Sequence, residues 1–108
     1  MTARAFAVVA ACLAATGCTD PAPRSASAER GRQVYVAQCT ACHHPSDPAK
    51  PGALGPPIQG TPREVLEAKV LRGAYPPGYT PKRDSRVMPP MPALTPDIAA
   101  LADYLKES

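Results

Sequence analysis

Cys39-Thr40-Ala41-Cys42-His43 decides how the rest of this chain is read. Two cysteines separated by two residues and followed at once by a histidine form the attachment pattern for a covalent haem. The spacing lets both sulfurs reach the two vinyl groups on one porphyrin edge, and the next residue points its imidazole at the iron. With the chain's own Cys and His counts, the pattern arises by chance about 0.003 times over 108 residues. A Cys-x-x-Cys pair also serves as a redox dithiol, but that pair normally sits at a helix start in a βαβ unit, and no segment here alternates as a strand does. It also makes half of a zinc site, but no second Cys/His pair exists beyond His44.

Upstream of the motif, a helix is predicted from near Ser27, with Glu29 in the first turn, where the positive end of the helix dipole favours acid. Val34, Tyr35 and Gln38 carry it into the motif. Gly31 costs about 1 kcal/mol against Ala inside a helix; four residues before Tyr35, it predicts close backbone contact with another helix. Downstream, residues 44–59 hold five of the 15 prolines and read as a loop. A second helix is predicted from Thr61, where Thr61-Pro62-Arg63-Glu64 spells a capping box with Pro at the first helical position. It continues through Val65, Leu66, Lys69 and Val70 and ends at Gly73. Residues 74–91 form another Pro-rich loop. A last helix is predicted from Thr95-Pro96-Asp97, with Ile98, Leu101, Ala102 and Leu105 on one stripe and Tyr104 beside it. The expected fold is all-α: three main short helices joined by Pro-rich loops. Loops of that length need an anchor in a small domain, and a haem at the centre supplies one.

The N-terminus has a different character. In residues 1–17 Arg4 is the only charge, and Phe6 to Ala15 is an unbroken run of apolar and small residues. It is too short for a transmembrane helix and suits the hydrophobic part of an export signal. Ala15-Thr16-Gly17 before Cys18 resembles a bacterial lipobox, in which the cysteine becomes the acylated N-terminus. Ala15 stands where such runs usually carry Leu, and ordinary cleavage nearby is the alternative. Residues 18–26, rich in Pro, Ala and Ser, read as a flexible tether, and 27–108 as the domain. Roughly 80 to 90 residues are few for a self-sufficient core, with no Trp and four Tyr, so a covalent cofactor is also needed as a staple. Without Arg4 the chain has 11 basic and 9 acidic residues. No Lys/Arg run suggests a nucleic-acid partner.

Taken in order, Gly31 with Tyr35, Cys39-Thr40-Ala41-Cys42-His43, Leu54-Gly55-Pro56-Pro57-Ile58, Met88-Pro89-Pro90 and a final helix with Tyr104 resemble a class I c-type cytochrome over nearly all of residues 27–107. The resemblance implies a cytochrome c fold, with the first and last helices crossing at Gly31 and Tyr104. It implies one haem c bonded to Cys39 and Cys42, with His43 on one face of the iron and Met on the other. Met88, which opens Met-Pro-Pro, matches the ligand segment; Met91 takes the place where relatives carry a bulky apolar residue against the haem. The alternative is that both methionines only fill the core. The carbonyl of Pro56 is expected to accept the other imidazole N–H and fix the ring. His44 is expected to be solvated. The loop over residues 74–86 departs from the short forms of the family. Its Tyr75, Tyr79, Lys82, Arg83 and Arg86 are candidates to meet the haem propionates or an acidic partner, or simply to lie in solvent.

The function implied is one-electron transfer between periplasmic redox proteins, not enzymatic turnover. The donor would be a dehydrogenase or quinol oxidoreductase and the acceptor an oxidase or reductase, with the carrier lipid-anchored to a bacterial membrane through Cys18 or else soluble in the periplasm. The alternatives are a haem enzyme or a gas or peroxide sensor with a labile sixth ligand, and a fixed electron-transfer subunit of a dehydrogenase complex.

Overall fold

Ser25 starts the first helix: its hydroxyl accepts the Ala28 N–H at 3.0 Å and caps helix α1, Ala26–Gln38. The computed structural model describes Gly17 and residues 22–108. The expected signal apart from Gly17, the acylation candidate Cys18 and the tether up to residue 21 lie outside the described residues. Helix α1 begins one residue before the expected Ser27, because Ser25 takes the capping role and Ser27 instead donates to Asp103 Oδ2 at 2.6 Å. Helix α2 runs over Arg63–Leu66 and continues as a π-helical turn, Glu67–Leu71. A 3₁₀ turn, Pro92–Asp97, leads into helix α3, Ile98–Glu107. Among the described residues there is no strand, and no helix is long and apolar enough to cross a membrane.

Helices α1 and α3 cross where Gly31 sits. A Cβ there would lie 1.9 Å from the Ala100 carbonyl oxygen and 2.8 Å from Tyr104 Cβ. Only a residue without a side chain lets the two backbones approach this far. One turn on, the rings of Tyr35 and Tyr104 meet at 5.4 Å with planes tilted by 54°, within the favourable range for an aromatic pair. Ile98, Leu101 and Leu105 complete the seam, fully buried. Its polar border is a set of α1-to-α3 bonds: Ser25 Oγ to Glu107 at 2.9 Å, and Arg30 Nε to Asp97 at 3.1 Å.

Two local expectations are corrected. Thr61 and Glu64 do not form a capping box: the Thr61 hydroxyl donates to the Ile58 carbonyl at 2.6 Å, and Pro62 stands at the cap with no side-chain bond. The Thr61 side chain is turned back to the preceding residues, so its oxygen caps no N–H of the helix. Nor does α3 begin at Thr95-Pro96-Asp97. Thr95 Oγ1 turns back to Pro92 O at 2.7 Å, and the Asp97 carboxylate is held by Arg30. Pro92 and Pro96 lack N–H donors, so this stretch coils as 3₁₀ and the α-helix starts at Ile98. Gly73 ends the second helical segment as expected, at φ +68° with its N–H on Lys69 O.

Candidate functional site

The haem motif follows directly from α1. The Cys39 N–H closes on Tyr35 O at 2.9 Å, and the Cys42 and His43 N–H groups fold back on Cys39 O. This tight turn brings Cys39, Cys42 and His43 to one wall of a cleft. Ile58, Val65, Leu66, Val70, Leu101 and Met88 line the same cleft. The lining of the cleft is predominantly apolar.

His43 is buried, and its ring is fixed from two sides. Nδ1 lies 3.0 Å from the Pro56 carbonyl oxygen, which makes it the protonated nitrogen of the neutral ring. Gly55 packs flat against the imidazole: a Cβ there would lie 2.5 Å from both Cε1 and Nδ1. Behind, Gly52 lets the loop lie on the motif's backbone, since a Cβ would meet Cys42 O at 2.2 Å. Gly52 N–H bonds Gly55 O, and the Leu54 and Gly55 N–H groups both reach Cys42 O. Burial, and then the Arg83 charge, lower the His43 pKa against the opposing Pro56 bond. The ring is therefore neutral near pH 7. Nε2 makes no hydrogen bond among the described residues and belongs to a side chain on the cleft wall.

Burial pushes the Cys39 thiol up to about 11. A redox dithiol works through a thiolate of lowered pKa, so this environment disfavours that reading. Among the described residues no three His, Cys, Asp or Glu cluster as metal ligands do, so a zinc site finds no further donors. The residues do fit a haem: two sulfurs, a neutral imidazole and a thioether line one predominantly apolar cleft. Cys39, Cys42 and His43 would hold it, and the iron would supply one-electron chemistry.

The two methionines separate. Met88 lines the cleft, whereas Met91 does not; Met91 packs on the core as its N–H bonds Val70 O at 2.6 Å. Both are partly buried. His44 is tied down rather than freely solvated: its Nδ1 accepts from the Ser46 and Asp47 N–H groups at 3.3 and 3.0 Å. Its carbonyl accepts the Tyr35 hydroxyl at 2.5 Å, and burial raises the Tyr35 pKa to about 12.

The loop after α2 forms the remaining rim. Pro76-Pro77-Gly78-Tyr79 is a turn with Gly78 at φ +80° and Tyr79 N–H on Pro76 O at 3.1 Å. Pro then Gly at its two central positions suits a type II turn. The turn folds Tyr79 back onto Tyr75, centroids 5.4 Å apart and planes within 16°. The Lys69 ammonium covers Tyr75 at 4.7 Å. Lys69, Tyr75 and Tyr79 all line the cleft. Lys82 donates to Pro57 O at 2.6 Å and Arg83 to Leu54 O at 2.7 Å, so these two cations are engaged with backbone rather than with solvent alone. Sequence reasoning missed Gly52 and both of these bonds. The Pro-Pro-Gly between two tyrosines was the available signal for the rim.

A family model described as Cytochrome c matches residues 28–108 of the chain. No curated protein matches it.

Proposed function

The chain belongs to the cytochrome c family and so carries covalent haem c as a haem-c electron-transfer protein; on that premise, we propose that it is a one-electron carrier with the iron held between His43 and Met88. The haem is bonded through Cys39 and Cys42 in this reading. One observation carries it: His43, with Nδ1 engaged by Pro56, lines the same cleft as Met88, and Met91 does not line it. When bound, the haem supplies the one-electron change, Fe(III) to Fe(II). The chain supplies the rest. Pro56 holds the imidazole in one tautomer and one orientation. The apolar walls exclude water and disfavour the extra charge of the oxidised state. Pro89 and Pro90 fix φ and remove two donors next to Met88, which stiffens the thioether's loop and keeps rearrangement small as the electron moves.

Export and acylation at Cys18 would place this carrier on the periplasmic side of a bacterial membrane. It would take electrons there from a dehydrogenase or quinol oxidoreductase and pass them to an oxidase or reductase. The charge pattern supports no nucleic-acid partner.

The test is ligand spectroscopy on purified holoprotein. Oxidised wild type shows the weak near-infrared band of methionine sulfur, and the reduced form resists carbon monoxide. Met88→Ala abolishes the band, lowers the potential and opens the iron to exogenous ligands. Met91→Ala keeps the band and costs stability by about 2 kcal/mol as a partial cavity. Loss of the band in Met91→Ala alone reverses the assignment, and ready carbon monoxide binding by wild type refutes the carrier.

A further inference from the structure

Three backbone carbonyls in four residues of the segment beneath His43 are each taken by a side chain from elsewhere. Leu54 O accepts Arg83, Pro56 O accepts the His43 imidazole, and Pro57 O accepts Lys82. The middle bond orients the imidazole; the outer two come from the long loop after α2. We propose that Lys82 and Arg83 are positioning residues, a two-point clamp that holds the 54–57 segment in place and, through the Pro56 carbonyl, fixes the His43 ring. The clamp rests on the reading of His43 as the iron's ligand.

The physical case has three parts. First, Pro56 and Pro57 lack N–H groups, so this stretch of the segment cannot be anchored by its own donors. The two N–H groups just before it, of Leu54 and Gly55, are spent on Cys42 O. Gly52 N–H takes Gly55 O, and past the prolines the Ile58 and Gln59 N–H groups take Pro48 O; between these backbone ties the outer carbonyls, Leu54 O and Pro57 O, are held by side chains alone. Second, both bonds are charge-assisted, at 2.6 and 2.7 Å, the stronger class of hydrogen bond. Third, the loop that delivers the cations is itself stiffened. Pro76, Pro77 and Pro81 restrict its backbone, and the Tyr75–Tyr79 stack under Lys69 ties its start to the second helical segment. Lys82 and Arg83 make no ion pair among the described residues, whereas Arg30, Arg32, Lys50 and Arg63 each pair with an acid. Their charges are therefore free for the carbonyls. Arg72 and Arg86, on the same side of the molecule, line a neighbouring crevice and make no bond to the 54–57 segment. They serve as charge controls.

The experiment follows the ring N–H proton of His43 in ferric holoprotein by NMR, where a ligand proton near the iron is shifted out of the protein envelope. Its exchange with solvent reports how often the Pro56 bond opens. Lys82→Met with Arg83→Met is expected to speed that exchange about tenfold or more, the scale of losing charge-assisted bonds that restrain a surface segment. Arg83→Lys in the Lys82→Met background is expected to recover part of the protection. Arg72→Met with Arg86→Met, which removes equal charge, is expected to leave it unchanged. Wild-type exchange in the Lys82/Arg83 double variant overturns the clamp, as does equal acceleration in the Arg72/Arg86 control. Absence in wild type of any iron-shifted signal from the His43 ring overturns instead the ligand reading on which the clamp stands.

Discussion

Adding one methyl group at Gly55 tests the site most directly. The Gly55→Ala Cβ would sit 2.5 Å from Cε1 and Nδ1 of His43 and 3.0 Å from Cγ. Carbon contacts are comfortable near 3.5–4.0 Å, so ring or loop must yield by about 1 Å. The ring is bonded to Pro56 O on one side and, with haem in place, held on the other by iron. The loop is tied to Cys42 O by two N–H bonds. Gly55 does not have a positive φ, so the cost is packing and not backbone conformation. A 1 Å displacement takes the 3.0 Å bond beyond hydrogen-bonding distance. Overpacking of a tight site costs about 1–3 kcal/mol, and a buried imidazole donor left unpaired about 1–3 kcal/mol more. The expected loss is therefore roughly 2–6 kcal/mol, a large share of the about 5–15 kcal/mol that holds a domain together. Guanidinium unfolding of holoprotein, followed by haem absorbance, measures it. A second readout identifies the cause. Without the Pro56 bond the imidazole is a weaker donor to iron, so the reduction potential rises. Gly55→Ala within about 0.5 kcal/mol of wild type, at an unchanged potential, would refute the reasoning.

Two further outcomes are expected. Burial raises Tyr35 to about 12 from an unfolded value near 10, so its contribution is complete below about pH 10 and is lost as pH rises toward 12; pH-dependent unfolding of Tyr35→Phe should fall off less steeply across that window than wild type, and identical slopes would exclude the effect. Cys18→Ser should release a cytochrome with an unchanged spectrum from the membrane fraction, as acylation at that residue requires, while wild type already soluble with an unacylated terminus would remove the anchor.

The covalent motif was legible because its logic is local: two sulfurs and an imidazole within five residues have few other uses in that order. Gly31 was legible for a related reason, since a glycine in a helix interior costs stability unless another backbone needs the space, and Ala100 does. The helical stripe of Ile98, Leu101 and Leu105 needed only its period. The helix starts misled where a side chain had a competing partner. Thr61 and Asp97 have the right chemistry for caps, yet Ile58 O and Arg30 take them, and the partner of Asp97 is 67 residues away. The two methionines are three residues apart in Pro-rich surroundings; Met88-Pro89-Pro90 pointed to Met88 by resemblance, but which side chain lines the cleft is not a local property. That depends on the Met91 N–H meeting Val70 O across the fold. The destinations of Lys82 and Arg83 are equally remote, at carbonyls 25 and 29 residues earlier. Carbonyls carry no residue identity, so no sequence pattern marks them as partners. What the sequence alone determined was the cofactor chemistry and the helical frame, because both rest on side-chain type and short spacing. Family resemblance pointed to Pro56 and Met88, and the tertiary structure sets Pro56 O 3.0 Å from the imidazole and Met88 on its cleft; it alone decided what the loop cations grip, because that depends on distances between segments that meet only when the chain has folded.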